Sequence, residues 1–436
     1  MFEIIGIVKG DSGLIPHVAG TELRAWDLGP RFETGLQIPL GADGWTWRTL
    51  PPSHPAVLGH PRILRRNDPG DALGVIAEKY GEPESYCVLG GNIASVSNWK
   101  GISFEEQYDA VTRGAGVFPC GGMYYLSVSG PHASDVLNLL TPRRIDLLEV
   151  GHAAFVIFTT PEGTVDTEGV VLRDGEESFQ LSIGGDTRPP TWLHDALDRY
   201  PDTRAEEADL SSFNIKGPRR LEAMARLVSD EFASVLTSLT RFRGVRVRTR
   251  WGAEAWVVRT VIGIELWADS ETIHAAWQGM VDDPDRYTPC GWDLLATYRM
   301  ECQEFPFYLC PLDIHRGTYL FDVGLGHAVS RGKQTPFVGQ EALRSPARYG
   351  GRMSIAGLMA TDPNATRRHV GERVLTDASK AHGYVTSAGY SPRAKRELCF
   401  ANLPVDVGST VRFKDGTAWR VLRLPMLPTA TEEPSP

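Results

Sequence analysis

The chain has 436 residues, of which 42% are hydrophobic and 23% are charged, and its formal net charge is −9. This length exceeds what one compact core holds and predicts about two to four domains. The acidic balance argues against a nucleic-acid-binding surface, because such surfaces carry a basic excess. The apolar runs fall short of the roughly 20 residues that span a bilayer, and no secretory signal is visible, so we expect a cytoplasmic protein without a membrane partner.

The six cysteines are spread along the chain and form no C-x-x-C pair. They are Cys87, Cys120, Cys290, Cys302, Cys310 and Cys399. No combination of His and Cys has the spacing of a zinc site. The pattern therefore predicts free thiols in a reducing compartment and no bound metal.

Residues 1–98 are rich in Gly, Pro and Trp and show little periodicity. Residues 69–80 are typical of a short capped helix, and the prolines at 51, 52 and 55 are typical of a turn or linker. We predict an N-terminal extension over residues 1–98, and the sequence gives it no function.

From residue 104 the pattern changes to alternating helices and strands. Helices are predicted at 105–113 and 133–140, and strands at 123–129, 154–159, 170–172 and 180–183. Gly130-Pro131 separates a strand from a helix, and Gly217-Pro218 repeats this arrangement before a second helix at 221–228. The repeat predicts a folded region over 99–345 with two related α+β halves, 99–205 and 206–345.

The last part of the chain is predicted to form a small β-barrel. Many short strands at turn spacing follow a Pro-, Arg- and Gly-rich joint at 344–351, which places the barrel at 350–425. Residues 426–436 are predicted to be a disordered tail. The fold class is thus α+β, with antiparallel sheets in the two halves and a barrel at the C-terminus.

Residues 382–392, HGYVTSAGYSP, and residues 398–404, LCFANLP, carry the most specific motif. They closely resemble the G-x-V-T-S-G-x-x-S-P and A-x-x-P signature in the C-terminal barrel of the glycine-cleavage T-protein superfamily, the aminomethyltransferases. Seven further stretches resemble motifs of that superfamily in the expected order. They lie at 113–118, 129–131, 263–266, 289–291, 299–301, 322–326 and 337–343.

The departures from the superfamily pattern indicate a particular branch. Where T-protein has Asp-Asp, this chain has Thr167-Glu168-Gly169, so the carboxylate expected beside folate N5 is lost or shifted by one residue. Val261 and Leu295 replace a glutamate and an arginine of the superfamily. Together with Glu265-Leu266-Trp267, these changes bring the chain closer to the tetrahydrofolate-dependent aryl O-demethylases.

The resemblance implies a set of residues that bind tetrahydrofolate. Glu265 would pair with the pterin edge, Met123 would line the folate cavity, and Trp267 would pack on the ring unless it belongs to the core. Arg299 would contact folate, although an internal ion pair with Glu301 is the preferred interpretation.

Arg246, Arg248 and Arg250 alternate along one predicted strand and share one of its faces. Arg248 is our candidate for holding a folate tail or a substrate carboxylate. A solvated sheet face explains the same pattern equally well.

Glu168, Tyr124 and His327 are the candidate catalytic acids. Transfer of a methyl group from an ether requires protonation of the leaving phenoxide, so a nearby acid or phenol is useful. A lone histidine such as His327 is more often structural. Tyr124 and Tyr125 point to opposite faces of a strand, so one of the two faces the pocket.

The sequence therefore predicts a tetrahydrofolate-dependent methyl or one-carbon transferase acting on a small-molecule donor. The preferred reaction is O-demethylation of a methoxylated aromatic substrate, which yields 5-methyl-tetrahydrofolate. One alternative is aminomethyl or hydroxymethyl transfer with methylene-tetrahydrofolate. A second is a folate-binding regulatory or repair protein, although residues 331–340 lack the cysteine of that branch. A third is a repurposed binding protein, which Val261 and Leu295 make credible.

Overall fold

The computed structural model describes most of the chain from residue 92 onward and short stretches before it. The described residues are 4–10, 13–18, 21–22, 48–50, 83–89, 92–120, 123–184, 189–260, 263–301, 313–314, 317–344, 353–369, 371–376, 383–424 and 426–427. The predicted helix at 69–80, Val261, and most of the predicted joint and tail lie outside these ranges.

The chain divides into two compact units. The barrel unit comprises Met1–Trp47, Leu295–Gly326 and Leu343–Pro436. The two-sheet unit comprises Arg48–Leu294 and His327–Ala342. The domain boundaries predicted from the sequence remain predictions.

The N-terminal stretches form two small antiparallel sheets. The first has the order β1-β2-β3 and the second the order β4-β5-β6. Their strands are β1 Ile4–Gly10, β2 Gly13–Val18, β3 Thr21–Glu22, β4 Arg48–Leu50, β5 Pro83–Leu89 and β6 Asn92–Trp99.

Helices and strands alternate from residue 104, as predicted. The strands are β7 Gly116–Pro119, β8 Tyr124–Ser129, β9 Ala153–Thr159, β10 Val165–Gly175, β11 Ser178–Ile183, β12 Arg204–Glu207, β13 Ser211–Lys216, β14 Gly244–Arg248, β15 Glu254–Arg259, β16 Ile264–Ala268 and β17 Thr288–Pro289. The helices are α1 Phe104–Arg113, α2 Ala133–Leu140, α3 Leu193–Leu197, α4 Arg220–Ala225, α5 Asp230–Thr237, α6 Ser270–Val281, α7 Trp292–Glu301 and α8 Gln340–Arg344. The helix predicted at 221–228 is thus shorter than expected and is followed by α5.

The first sheet of the two-sheet unit has the order β12-β8-β11-β10-β9 and is antiparallel throughout. Helices α2 and α3 cover one face, where Val136, Leu137 and Phe179 are fully buried. The second sheet has the order β14-β15-β16-β13-β7-β17, and its one described parallel pairing joins β17 to β7. On its helix-covered face Phe213 packs against Trp277 of α6, with 5.3 Å between ring centroids.

The face of each sheet opposite its helices contributes residues to one shared buried cluster. We call these two faces the inner faces. This central cluster consists of Tyr125, Ala153, Leu172, Val258 and Trp267. Backbone bonds also join the sheets, because Gly244 N–H donates to Gly151 O at 2.7 Å. The inner faces are therefore held at a fixed separation.

The predicted strand-Gly-Pro-helix repeat is present once in each sheet. Gly130 follows β8 with φ 127°, and Gly217 follows β13 with φ 106°. A Cβ atom would lie 2.5 Å from a carbonyl oxygen at either position, that of Asp202 or of Gly114. Only glycine combines this backbone conformation with such close approach. Strand β7 lies in the predicted first half but pairs with β13, so the second sheet draws on both halves.

The C-terminal sheet is the predicted small barrel. Its strands are β18 Met353–Ala360, β19 Arg373–Val374, β20 Gly383–Ser391, β21 Arg396–Pro404, β22 Thr410–Arg412 and β23 Ala418–Leu422, in the order β19-β20-β21-β18-β23-β22. Leu375 and Arg412 exchange backbone hydrogen bonds of 2.7 and 3.0 Å, which bring the two edges together. Phe413 and Trp419 fill the interior. The α+β fold class with antiparallel sheets and a C-terminal barrel is confirmed.

Within the described ranges the longest helix, α6, has 12 residues, and no helix is long and apolar enough to cross a membrane. Cys120, Cys290 and Cys399 are free thiols.

Candidate functional site

Strand alternation places one carboxyl group on the inner face of the first sheet. Leu172 of β10 belongs to the central cluster, and Val170 packs against it. Because successive side chains of a strand point to opposite faces, Glu168 shares the inner face with these two residues. Thr167 points the other way and is buried, with its hydroxyl donating to Gly184 O at 3.4 Å.

Glu168 is half-buried in a mostly apolar environment. Its Oε1 atom lies 2.5 Å from the position that a Cβ on Gly184 would occupy, and the methyl of Met123 lies 3.8 Å from the same point. Burial raises the pKa of Glu168 from 4.5 to about 7. Within the described ranges, no side chain donates a hydrogen bond to this carboxyl group. Glu168 therefore holds a proton more readily near neutral pH than an ordinary glutamate does.

Glu265 supplies a second carboxyl group from the inner face of the second sheet. Asn214 donates its amide to Oε1 at 2.8 Å, and the Thr260 hydroxyl donates to the same atom at 3.2 Å. Trp267 donates its indole N–H to Oε2 at 2.7 Å. Burial raises the pKa of Glu265, while these three donors and the charge of Lys216 each act to lower it. The Glu265 carboxyl group is thus oriented by hydrogen bonds.

The groups around Glu265 form a connected polar layer. Tyr125, from the first sheet, donates its hydroxyl to Ser212 at 2.6 Å and meets Trp267 edge to face, with centroids 5.9 Å apart. Asn214 is 5% exposed, and its Oδ1 atom has no hydrogen-bond partner among the described residues. A Cβ on Gly263 would lie 1.8 Å from that atom, so glycine is required there.

Three of the predicted ligand-binding residues lie on the inner faces. Glu265 and Trp267 are in direct contact, and Met123 lies beside Glu168 and packs against the central cluster. Trp267 is 1% exposed, so it belongs to the core while it orients Glu265.

The other predicted residues lie elsewhere. Tyr124 packs against the helix-side core of the first sheet, and it is Tyr125 that reaches the inner face. His327 is exposed in a 3-10 helix, Leu325–Ala328. Arg248 is exposed at the end of the edge strand β14. None of the contacts described for Glu168 or Glu265 involves these three residues.

Arg299 belongs to the barrel unit and is fully buried there. Its Nη1 lies 2.6 Å from Asp313, which also accepts hydrogen bonds from Thr386 at 2.6 Å and Ser387 at 2.8 Å. Glu301 accepts a hydrogen bond from Ser391. Arg299 thus forms an internal ion pair with Asp313. The Thr386 and Ser387 hydroxyls of β20 thus help to hold the Asp313 carboxylate.

Asn214, Thr260 and Lys216 lie around Glu265 but are not among the site residues predicted from the sequence. A signal was present, because polar side chains alternate at Ser212, Asn214 and Lys216 in an otherwise apolar strand. The side chains of Ser212, Asn214 and Lys216 are at most 5% exposed. Such a pattern on a buried strand indicates a polar inner face. Among the residues that the structure describes, no three His, Cys, Asp or Glu side chains converge as metal ligands.

Comparisons with known proteins agree on one family. The family model for the GCVT N-terminal domain matches residues 72–333, more than half of the chain. An aminomethyltransferase of Xanthomonas axonopodis pv. citri is 24% identical over 334 residues, covering 74% of this chain and 88% of that protein. One of Acidobacterium capsulatum is 26% identical over 347 residues, covering 74% and 87%.

A solved structure supports the fold. The glycine cleavage system aminomethyltransferase T of Bartonella henselae superposes with a TM-score of 0.69 at 18% identity. The match covers 82% of this chain and 97% of that one.

Proposed function

Since the chain belongs to the GCVT N-terminal domain family, we propose that it is a tetrahydrofolate-dependent one-carbon transferase acting on a small molecule. The proposed reaction is removal of the methyl group from a methoxylated aromatic compound. The observation that carries this choice is Glu168, a carboxyl group on an inner face with a pKa of about 7. An acid of this strength holds a transferable proton at neutral pH.

The inner face of the second sheet fits the pterin edge of tetrahydrofolate. A pterin presents neighbouring N–H donors, and the Glu265 carboxyl group is an acceptor whose orientation is fixed by Asn214, Thr260 and Trp267. Asn214 Oδ1 adds a buried acceptor that has no hydrogen-bond partner among the described residues. When bound, tetrahydrofolate supplies the N5 amine that receives the one-carbon unit.

Glu168 would donate its proton to the ether oxygen as the methyl–oxygen bond breaks, so that a neutral phenol leaves. The resulting carboxylate would recover a proton from the amine that has received the methyl group. An aryl oxide is a poorer leaving group than a phenol, which is why a positioned acid accelerates the step. Thr167 cannot take this role, because it points away from the inner face. Thr167 and Glu168 stand where T-protein has Asp-Asp. Of these two positions, Glu168 alone therefore directs a carboxyl group toward the second sheet.

The test is incubation of the full chain with tetrahydrofolate and a panel of methoxyarenes that carry a labelled methyl group. We expect labelled 5-methyl-tetrahydrofolate and the matching phenol in equal amounts for at least one donor. Glu206→Gln, on the exposed surface of β12 in the same sheet, is the control and should keep full activity. Absence of labelled product with every donor would contradict demethylation.

The second candidate is aminomethyl or hydroxymethyl transfer with methylene-tetrahydrofolate. It is supported by the curated relatives, which are named aminomethyltransferases. It predicts that methylene-tetrahydrofolate is consumed or formed when an amine or hydroxymethyl acceptor is present, and that methoxyarenes are inert. The folate species formed in the two assays therefore separates the candidates.

A further inference from the structure

Lys216 is a buried cation that the proposed reaction leaves without a role. It ends β13, is 2% exposed, and its Nζ lies over the Phe118 ring, 5.0 Å from the centroid. Within the described part of the chain, its ammonium group has no hydrogen-bond acceptor and no direct ion-pair partner. A buried ammonium group without an opposite charge nearby is costly, so its neighbours should compensate it.

The strand register identifies the neighbour that supplies this charge. Asn214 lies directly opposite Glu265 in the pairing of β13 with β16, and Lys216 follows Asn214 on the same face. Lys216 is therefore the diagonal neighbour of Glu265, at a spacing that long side chains bridge. The register then reaches Gly263, which has no side chain to separate the two charges.

The other charged and titratable groups around Lys216 are few. Cys120 and Cys290 are thiols, and burial raises the pKa of Cys120 to about 12 and that of Cys290 well above its ordinary value, so neither carries a charge at neutral pH. Arg220 of α4 is a second cation and acts against the charge on Lys216. Among the described groups that act on Lys216, Glu265 is thus the one carboxyl group.

We propose that the Lys216 ammonium group is the counter-charge of the Glu265 carboxylate and acts as a positioning residue for the ligand that this carboxylate binds. A carboxylate accepts hydrogen bonds from ligand N–H groups, whereas a protonated carboxyl group would set a donor against them. Burial lowers the pKa of Lys216 to about 8, so the ammonium group is charged at neutral pH and loses its charge above pH 8. The ligand's identity rests on the proposed function, whereas the charge pairing does not.

The first test follows Glu265 in the ligand-free protein by ¹³C NMR of side-chain-labelled glutamate, with Glu265→Gln to assign the signal. Lys216→Met should raise the titration midpoint of Glu265 by about one pH unit or more, because it removes an opposite charge. Lys216→Arg should keep the midpoint close to that of the wild type. Lys414→Met, at an exposed lysine, is the matched control. An unchanged midpoint in Lys216→Met overturns the proposal.

The second test is a double-mutant cycle on the midpoint of thermal unfolding. Lys216→Met and Glu265→Gln should each lower the midpoint, because each leaves one buried charge alone. The double variant lacks both charges. Its midpoint should therefore fall by less than the sum of the decreases in the two single variants. Strictly additive losses overturn the proposal, and this readout remains available where Lys216→Met is too unstable for NMR.

Tetrahydrofolate titration separates this inference from the proposed function. If tetrahydrofolate binds, the acidic limit of binding should move to higher pH in Lys216→Met and not in Lys414→Met. If the wild type binds no tetrahydrofolate while the Glu265 midpoint still shifts, the charge pairing stands and the folate assignment fails.

Discussion

The two carboxyl groups of the inner faces have opposite surroundings. Glu168, on the first sheet, lies beside Met123 and the backbone of Gly184, and burial raises its pKa. Burial also raises the pKa of Glu265, on the second sheet, but the three hydrogen bonds that it accepts and the Lys216 charge oppose this rise. We therefore expect Glu265 to ionise at a lower pH than Glu168.

This difference separates two tasks that the proposed folate-dependent site requires. A proton donor must be neutral before the reaction, whereas a group that recognises N–H donors must be ionised. Two glutamates with the same intrinsic acidity serve both tasks when one is only desolvated and the other is desolvated and compensated. The contrast predicts which substitutions affect chemistry and which affect binding.

Glu168→Gln should have the largest effect. It keeps the shape of the side chain but removes the transferable proton, and loss of a positioned acid costs about 10²- to 10⁴-fold in kcat. Steady-state kinetics with the best methoxyarene donor provide the measurement. Retention of more than about a tenth of the activity would show that Glu168 is not the acid.

Glu265→Gln should weaken tetrahydrofolate binding while leaving the pH dependence of the chemical step intact. Hydrogen bonds to a charged group contribute about 1.5–3 kcal/mol, which corresponds to a rise in Kd of about 10- to 100-fold. Calorimetric titration measures this change. Glu271→Gln, on the exposed side of α6, is the control, and an equal Kd for the two variants would remove Glu265 from the ligand site.

The pH dependence of kcat should follow the protonation of Glu168. Its folded-state pKa is raised to about 7, so the acid form predominates below pH 7 and is lost as the pH rises through 7. We expect kcat to fall about tenfold per pH unit above that point. The residual activity of Glu168→Gln should lack this decline, and a decline that persists in the variant would assign it to another group.

Trp267→Phe should have the smallest effect of the series. It removes the indole N–H that donates to Glu265 at 2.7 Å but keeps an aromatic ring against Tyr125. One such hydrogen bond contributes about 1.5–3 kcal/mol, and the two remaining donors to Glu265 should limit the rise in Kd to about tenfold. A variant that loses all binding would indicate that Trp267 contacts the ligand itself.

The sequence predicts much of this architecture because the relevant signals are local. The Gly130-Pro131 and Gly217-Pro218 pairs mark the two strand-to-helix turns, and the short strands after residue 353 predict the barrel. Resemblance to a family identifies Glu168 and Glu265. The strand period predicts that Tyr124 and Tyr125 face opposite ways, although not which of them faces inward.

The remaining site residues depend on pairings between distant parts of the chain. Asn214 reaches Glu265 across 51 residues of sequence, through the register of β13 with β16. The same pairing brings Lys216 near Glu265, and a lysine at a strand end otherwise indicates a solvated edge. Arg299 shows the converse, because its partner Asp313 lies outside the helix that carries it.

The order in which the two carboxyl groups lose their protons tests the account most directly. Infrared spectra recorded across a pH titration resolve the protonated carboxyl bands, and Glu168→Gln and Glu265→Gln assign them. We predict that the Glu265 band disappears at lower pH and that the Glu168 band persists until the pH passes about 7. Loss of the Glu168 band before that of Glu265 would contradict the division of tasks between the two sheets.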